Sequence, residues 1–219
     1  MTASLRLAAA VAAAVLAAGC AAAGTGTGTG AGSGSEQVEV PHSNVDVDTA
    51  ALRKQKAAAG IEDCPAITHT TGAMRAAGSG ESLPQITLPC LGGGPAVALD
   101  RLRGPLVINL FAQWCGPCRQ ELPYYEQLHR RAGDRLDVLG IDYLDTQPGG
   151  ALELAKDSGV TYPLLADPEG LLRTELRVRG LPGIVFVDAD GRVTETTFAV
   201  VRSYDELAGL VEEHLDVTL

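Results

Sequence analysis

Between residues 83 and 219 the spacing of apolar positions changes period several times, and each change marks an element. The run PLVINLF at 105–111 is continuously apolar, of strand length, and opened by Gly104-Pro105, which predicts a central strand buried on both faces. Residues 115–131 then place Leu122, Tyr125 and Leu128 on one helical face, and LDVLGI at 136–141 reads as a second strand. Strand, helix and strand with short joints form a βαβ unit with a right-handed crossover. Further helices fit 151–158 and 169–176. Strands at 183–188 and 192–198 flank Ala189-Asp190-Gly191, a hairpin signal. The last helix opens on Ser203-Tyr-Asp-Glu206, a capping box, and carries Leu207, Leu210, Val211 and Leu215 on one face. The order predicts a parallel-plus-antiparallel sheet with helices on both faces.

The N-terminal part follows different patterns. Residues 1–20 carry Arg6, an apolar core from Leu7 to Ala18 and then small residues, the layout of a secretory signal. That core is shorter than the roughly 20 residues needed to span hydrocarbon. Ala17-Ala18-Gly19 before Cys20 resembles a bacterial lipobox, with Ala17 where such boxes usually carry Leu. On that reading Cys20 is lipidated and anchors the protein to the outer face of the cell membrane; otherwise the protein is secreted. Residues 21–35, AAAGTGTGTGAGSGS, have nothing to bury and read as a flexible tether, spanning about 20 Å on average. Residues 36–82 form an extension with a short helix capped by Asp48 and ended by Gly60. GAMRAAGSGE at 72–81 reads as loop, and the extension is expected to pack loosely on the main domain at 83–219.

The formal net charge of −10 argues against nucleic acid, which needs a clustered basic surface. Arg130-Arg131 and Arg173/Arg177/Arg179 read as solvated helix faces. Five cysteines are present. With Cys20 assigned to lipid, four remain in an exported chain, where disulfides persist. The short spacing pairs Cys115 with Cys118 and leaves Cys64 with Cys90.

Cys115 falls at a strand-to-helix junction, where unpaired N–H groups and the helix dipole stabilise a thiolate and make it the attacking sulfur. Cys118, one turn on, would resolve the mixed disulfide. Gly116 and Pro117 complete the loop, and Pro is tolerated in a first turn. A permanent disulfide or two buried thiols is the competing reading; Trp114 beside the pair, placed to cover a reactive sulfur, favours exchange chemistry. Zinc is not expected, because no second C-x-x-C exists and His42, His69, His129 and His214 lack ligand spacing. No other cofactor is implied.

Trp114-Cys-Gly-Pro-Cys118 after a buried strand resembles the active-site motif of thioredoxin-like proteins, and the likeness extends over roughly residues 83–219. With the tethered N-terminus, Glu121 three residues past the second cysteine and Pro123 beyond it, the chain looks like the TlpA/ResA type of extracytoplasmic thiol-disulfide oxidoreductase. The resemblance implies a thioredoxin-like α/β fold, a central mixed β-sheet flanked by helices, with an N-terminal extension. It implies reduction of exported protein disulfides or of apocytochrome c thiols, and a membrane electron donor of thiol type. The partners expected are protein thiol/disulfide substrates and the membrane, and the chain is expected to act as a monomer. Gly180-Leu181-Pro182 matches the loop whose proline is cis in that family, where it would pair with an extended substrate segment. Glu121 matches the family's acidic residue near the pair; partly buried, it would take a proton during exchange.

Some positions depart from the pattern. Cytosolic thioredoxins carry a buried Asp on the strand before the motif where this chain has Asn109, leaving proton handling to Glu121 or water. Leu181 stands where Thr is often found, and Phe198-Ala-Val-Val-Arg202 lacks the usual glycine. Cys64 and Cys90 have no counterpart in the family core. Closing their loop would stabilise the fold by about 3.5 kcal/mol in the chain-entropy model, as a structural staple of the extension. A second redox pair is the alternative, disfavoured because neither cysteine has a helix-start setting. Other readings of the whole are a thiol oxidase or isomerase of the same fold, a copper chaperone, and a thiol peroxidase, which would need a lone cysteine.

Overall fold

The computed structural model describes residues 43–65 and 81–219. The readings made on residues 1–42 and 66–80, including the signal, the tether, Cys20, His42 and His69, lie outside the described residues. Helix α1 (Ala50–Ala59) begins after Thr49, whose side chain accepts from the Leu52 N–H, and stops at Gly60 with φ 72°. Thr49 therefore caps it in place of Asp48, which instead takes two hydrogen bonds from Arg53. A small hairpin, β1 (Thr87–Leu88) with β2 (Val97–Ala98), leads through a 3-10 turn into the main sheet. The sheet and its helices follow in the order β3 (Leu106–Phe111), α2 (Gly116–Ala132), β4 (Asp137–Tyr143), α3 (Pro148–Asp157), β5 (Leu164–Asp167), α4 (Leu172–Glu175), β6 (Gly183–Val187), β7 (Val193–Thr197) and α5 (Tyr204–Leu215).

The five strands are ordered β5-β4-β3-β6-β7. β3 pairs in parallel with β4, and β4 with β5, while β6 and β7 add antiparallel. Both parallel crossovers step the same way across the sheet, so right-handed connections place α2 and α3 on one face. Val107, Phe111, Val138, Leu164, Ala166, Ile184 and Phe186 point into that layer, which also receives α1 and α5. The opposite face, carrying Leu106, Ile108, Leu110, Leu139, Ile141, Val185 and Val187, is closed by the β1–β2 hairpin and the single turn of α4. The sheet is thus flanked on both sides, but four of the five α-helices share one side. The longer helix expected at 169–176 is a single turn, bounded by left-handed backbone at Gly170 (φ 70°) and Arg177 (φ 51°), and the Asp167 carboxylate accepts from the Leu171 and Leu172 N–H groups at its start. β5 was not foreseen: LLAD is too short to show a period.

The described part of the extension is built into the core. Val47, Leu52 and Ile61 are buried with Leu91 and the α3 residues Leu152 and Ala155. Its backbone is stitched on as well: the Gly92 N–H donates to the Val47 carbonyl, and the Glu62 N–H to that of Thr161. Loose packing was expected from the loop-like run at 72–81, most of which lies outside the described residues; in the described part Leu52 of α1 and the anchors Val47 and Ile61 flanking it make a buried contact. No helix among the described residues is long and apolar enough to cross a membrane.

Candidate active site

The β3 strand ends at Phe111 and the chain turns directly into α2, so Cys115 is the helix N-cap. Its sulfur accepts from the Cys118 N–H at 3.3 Å. That is the first-turn setting in which a thiolate is favoured over a thiol. Cys115 and Cys118 form a disulfide with Cα atoms 5.3 Å apart; both are buried, Cys118 the more deeply. A lone reactive cysteine, the requirement of the peroxidase reading, is therefore not what the loop presents. Trp114 is 56% exposed, the large hydrophobic side chain left out of the core among the described residues, and its indole N–H donates to the Leu144 carbonyl at 3.3 Å.

The loop is braced from behind. The Asp145 carboxylate, itself buried, accepts from the Gln113 N–H at 2.8 Å and from the Gln147 N–H at 2.9 Å, tying the segment before the cysteines to the start of α3. Arg119 reaches back from the first turn of α2 and donates to the Gln113 carbonyl through two nitrogens. Gly116 and Pro117 form the first two residues of the helix, and a Cβ at Gly116 would meet open space.

Glu121 lies one turn after Cys118 on the same buried face of α2. One carboxylate oxygen accepts from the Val201 N–H, and the other has no hydrogen-bond partner. Burial pushes the group up to about 7, partly countered by the Val201 hydrogen bond and reinforced by the negative charge of Glu206. The glycine-free segment at 198–202 thus supplies a backbone donor to Glu121. Asn109 is buried beneath the same layer and donates to the Tyr162 hydroxyl at 3.3 Å.

The Leu181–Pro182 bond is cis, at the entry to β6, which runs antiparallel beside β3. Next to it Arg179, Gly180, Leu181 and the end of β7 line an open groove of about 510 Å³, with Phe198 in its wall and the Arg179 guanidinium over that ring. Gly104–Pro105 is also cis.

Two further acids at this end of the sheet escaped the sequence reading. Asp142 is buried on the α2 side of β4, next to Phe111 in register, with the Asp145 carboxyl as its polar neighbour. Burial and the neighbouring Asp145 push it well above the usual carboxylate range. The signal was available: Val138, Gly140 and Asp142 share one face of a strand otherwise apolar, so an acid there is inward by parity. His129 sits against Glu62 at 3.1 Å and His214 against the Phe186 ring. Among the described residues, no group of three or more His, Cys, Asp or Glu could hold a metal ion.

A mixed sheet with a disulfide-bonded cysteine pair at the mouth of α2, a cis proline at the entry to the neighbouring strand and a buried acid one turn below defines a thiol-disulfide oxidoreductase of thioredoxin-like fold. The chain belongs to the AhpC/TSA family, whose model matches residues 79–196. It is similar to the thiol:disulfide interchange protein DsbE of Pseudomonas fluorescens biotype C, 29% identical over 141 residues, 63% of this chain and 78% of that one. The DsbE homolog of Paracoccus denitrificans is 30% identical over 138 residues, 62% of this chain and 74% of its own. A secreted Mycobacterium tuberculosis disulfide oxidoreductase homologous to E. coli DsbE shares the fold, with a TM-score of 0.52 at 23% identity over 59% of this chain and 96% of that one.

Proposed function

We propose that the chain works outside the cytoplasm as a reductase of protein disulfides, with exported proteins or apocytochrome c as substrates. The observation that carries this is the Cys115–Cys118 pair at a helix start above a buried carboxyl poised near neutrality. In the reduced enzyme the Cys115 thiolate attacks a substrate disulfide, forming a mixed disulfide and releasing one substrate thiolate. Cys118 then loses its proton to Glu121 and attacks the Cys115 sulfur. The second substrate sulfur leaves as a thiolate and takes up a proton; the substrate, now a dithiol, holds the two electrons that the enzyme gave up in forming its disulfide. A membrane dithiol donor restores the dithiol by the reverse sequence. Helix-start donors aimed at Cys115 support its role as attacker, and the deeper burial of Cys118 supports its role as resolver.

Trp114 and Leu181-Pro182 flank the pair as the substrate platform. The neighbouring groove offers space for an extended segment to lie beside the cis-proline backbone by strand addition. Lipidation at Cys20, with residues 21–35 as tether, 36–82 as extension and 83–219 as catalytic domain, would hold the monomer at the membrane's outer face. The names of the DsbE relatives support interchange chemistry, and the buried pair supports a reducing rather than a metal-carrying role.

The test is a redox titration with Trp114 fluorescence, together with trapping by Cys118→Ala. A reductase gives a potential near −270 mV and a stable mixed disulfide between Cys115 and a protein substrate; a potential above about −150 mV overturns the direction. Absence of any trapped adduct overturns Cys115 as nucleophile.

A further inference from the structure

The second disulfide, Cys64–Cys90, is set in surroundings that a mere staple would not need. Cys90 lies in an isolated bridge with Leu165 of β5, and Cys64 follows α1 by one short turn. Beside them, Lys56 of α1 is only 5% exposed. Its ammonium donates to the Gly93 carbonyl at 2.9 Å, to Asp63 at 3.2 Å and to the Cys90 sulfur at 3.3 Å. A buried ammonium is costly unless strong acceptors surround it. Here one acceptor is a neutral carbonyl, one is a carboxylate whose side chain is 92% exposed, and the third is a disulfide sulfur, the weakest of the three.

The chain shapes itself around this contact. Gly92, Gly93 and Gly94 turn with φ of 76°, 91° and 129° against α1. A Cβ on Gly92 would stand 2.8 Å from the Lys56 Cβ, and one on Gly94 would stand 3.2 Å from the Cys90 sulfur and 3.7 Å from the lysine nitrogen. Only bare backbone lets the lysine reach the sulfur.

We propose that Cys64–Cys90 is a second exchange-competent dithiol–disulfide couple, with Lys56 holding Cys90 as the leaving thiolate. The helix-start charge that both cysteines lack is supplied by an ammonium. Cys64 is itself 3% exposed and Cys90 1%, but Asp63 and Pro65 on either side of Cys64 are exposed, so external attack falls on the Cys64 sulfur when this surface segment parts from the domain. The thiolate of an incoming dithiol, a protein dithiol or a small one, bonds to the Cys64 sulfur and breaks the Cys64–Cys90 bond. Cys90 leaves as a thiolate paired with Lys56. The second thiol of the reductant, on losing its proton, attacks the mixed disulfide; Cys64 leaves as a thiolate that takes up a proton, and the reductant becomes a disulfide. Two electrons pass to the protein. Reduction thus replaces the weakest acceptor of Lys56 with a full negative charge, which stabilises the reduced form; the charged groups around the ammonium are its partner Asp63 and, at the glycine turn, Asp48, which is itself paired with Arg53.

The experiment uses the full chain carrying Cys115→Ser and Cys118→Ser, titrated without denaturant in mixtures of reduced and oxidised dithiothreitol. Alkylation read by peptide mass separates Cys64 and Cys90 from Cys20, and circular dichroism follows folding. The expected result is a reversible two-electron transition in folded protein. Lys56→Met should need about tenfold more reducing mixtures, about 30 mV, while Lys56→Arg restores most of the effect. If Lys56→Met does not fold, the arginine variant and the alkylation-rate profile of reduced Cys90 against pH carry the test, with reactivity persisting to lower pH than for an ordinary thiol. Reduction only on loss of the circular dichroism signal, or a midpoint and pH profile insensitive to residue 56, overturns the proposal.

Discussion

Glu121→Gln replaces the buried carboxyl with a neutral side chain of the same shape. The native carboxyl holds its proton to about pH 7, whereas in the unfolded chain it titrates near its ordinary 4.5. Between those values the unfolded chain gives up a proton that the folded one keeps, so stability falls as pH rises through the window, and the full cost is present above it. At 1.36 kcal/mol per pH unit the ceiling is about 3 kcal/mol, which solvent screening around a group near the active-site surface trims to about 1–2 kcal/mol. The glutamine amide keeps an acceptor for the Val201 N–H but sets an unpaired donor where the second oxygen was, a constant penalty of about 1 kcal/mol. Only the pH dependence is therefore diagnostic. Thermal melts of oxidised wild type and variant at pH 4.5 and pH 8 should show the difference moving in favour of the glutamine by about 2–8 °C, at roughly 2–4 °C per kcal/mol for a chain of this size. The same substitution should flatten the rise of disulfide reduction with pH near 7. Melting curves that stay parallel at the two pH values would show that Glu121 titrates like a solvated acid, and the proton-transfer role would fall with it.

Two other substitutions probe the surroundings. Trp114→Ala removes an exposed indole held to the Leu144 carbonyl, so kcat/KM for a protein disulfide should drop by about tenfold while the equilibrium potential with a small dithiol stays unchanged. Asp142→Asn neutralises a buried acid whose native carboxyl is pushed upward by burial and by the neighbouring Asp145. Its unfolded counterpart ionises in the usual carboxylate range, so the variant should gain about 1–3 kcal/mol over wild type as pH rises above that range and gain nothing below it, as read by urea unfolding.

Much of the catalytic apparatus was legible because it is local. A continuous apolar run followed by W-C-G-P-C places a dithiol at a strand-to-helix junction, and α2 starts one residue after Cys115. The hairpin at 189–191 and the Ser203 cap are equally local: the Ser203 hydroxyl accepts from the Glu206 N–H, although the Glu206 carboxylate closes on Arg202 instead of Ser203. Less legible were β5 and α4, whose runs are too short to carry a period. The cap of α1 also moved by one residue, because Asp48 found Arg53.

By itself, then, the sequence determined the order of the main strands and helices apart from β5, and the position of the Cys115–Cys118 pair at a helix start, since each follows from spacing along one or two adjacent elements; Cys64 and Cys90 were paired only as the two cysteines left over. Tertiary structure alone decided what surrounds them. Glu121 is raised toward neutrality by its burial, against the pull of the hydrogen bond from Val201, eighty residues on. Asp145 braces the active loop from the start of α3, and Lys56 of the extension reaches a disulfide sulfur through a turn of three glycines. These effects depend on desolvation and on charges brought together from distant segments, and no periodicity along the chain records either.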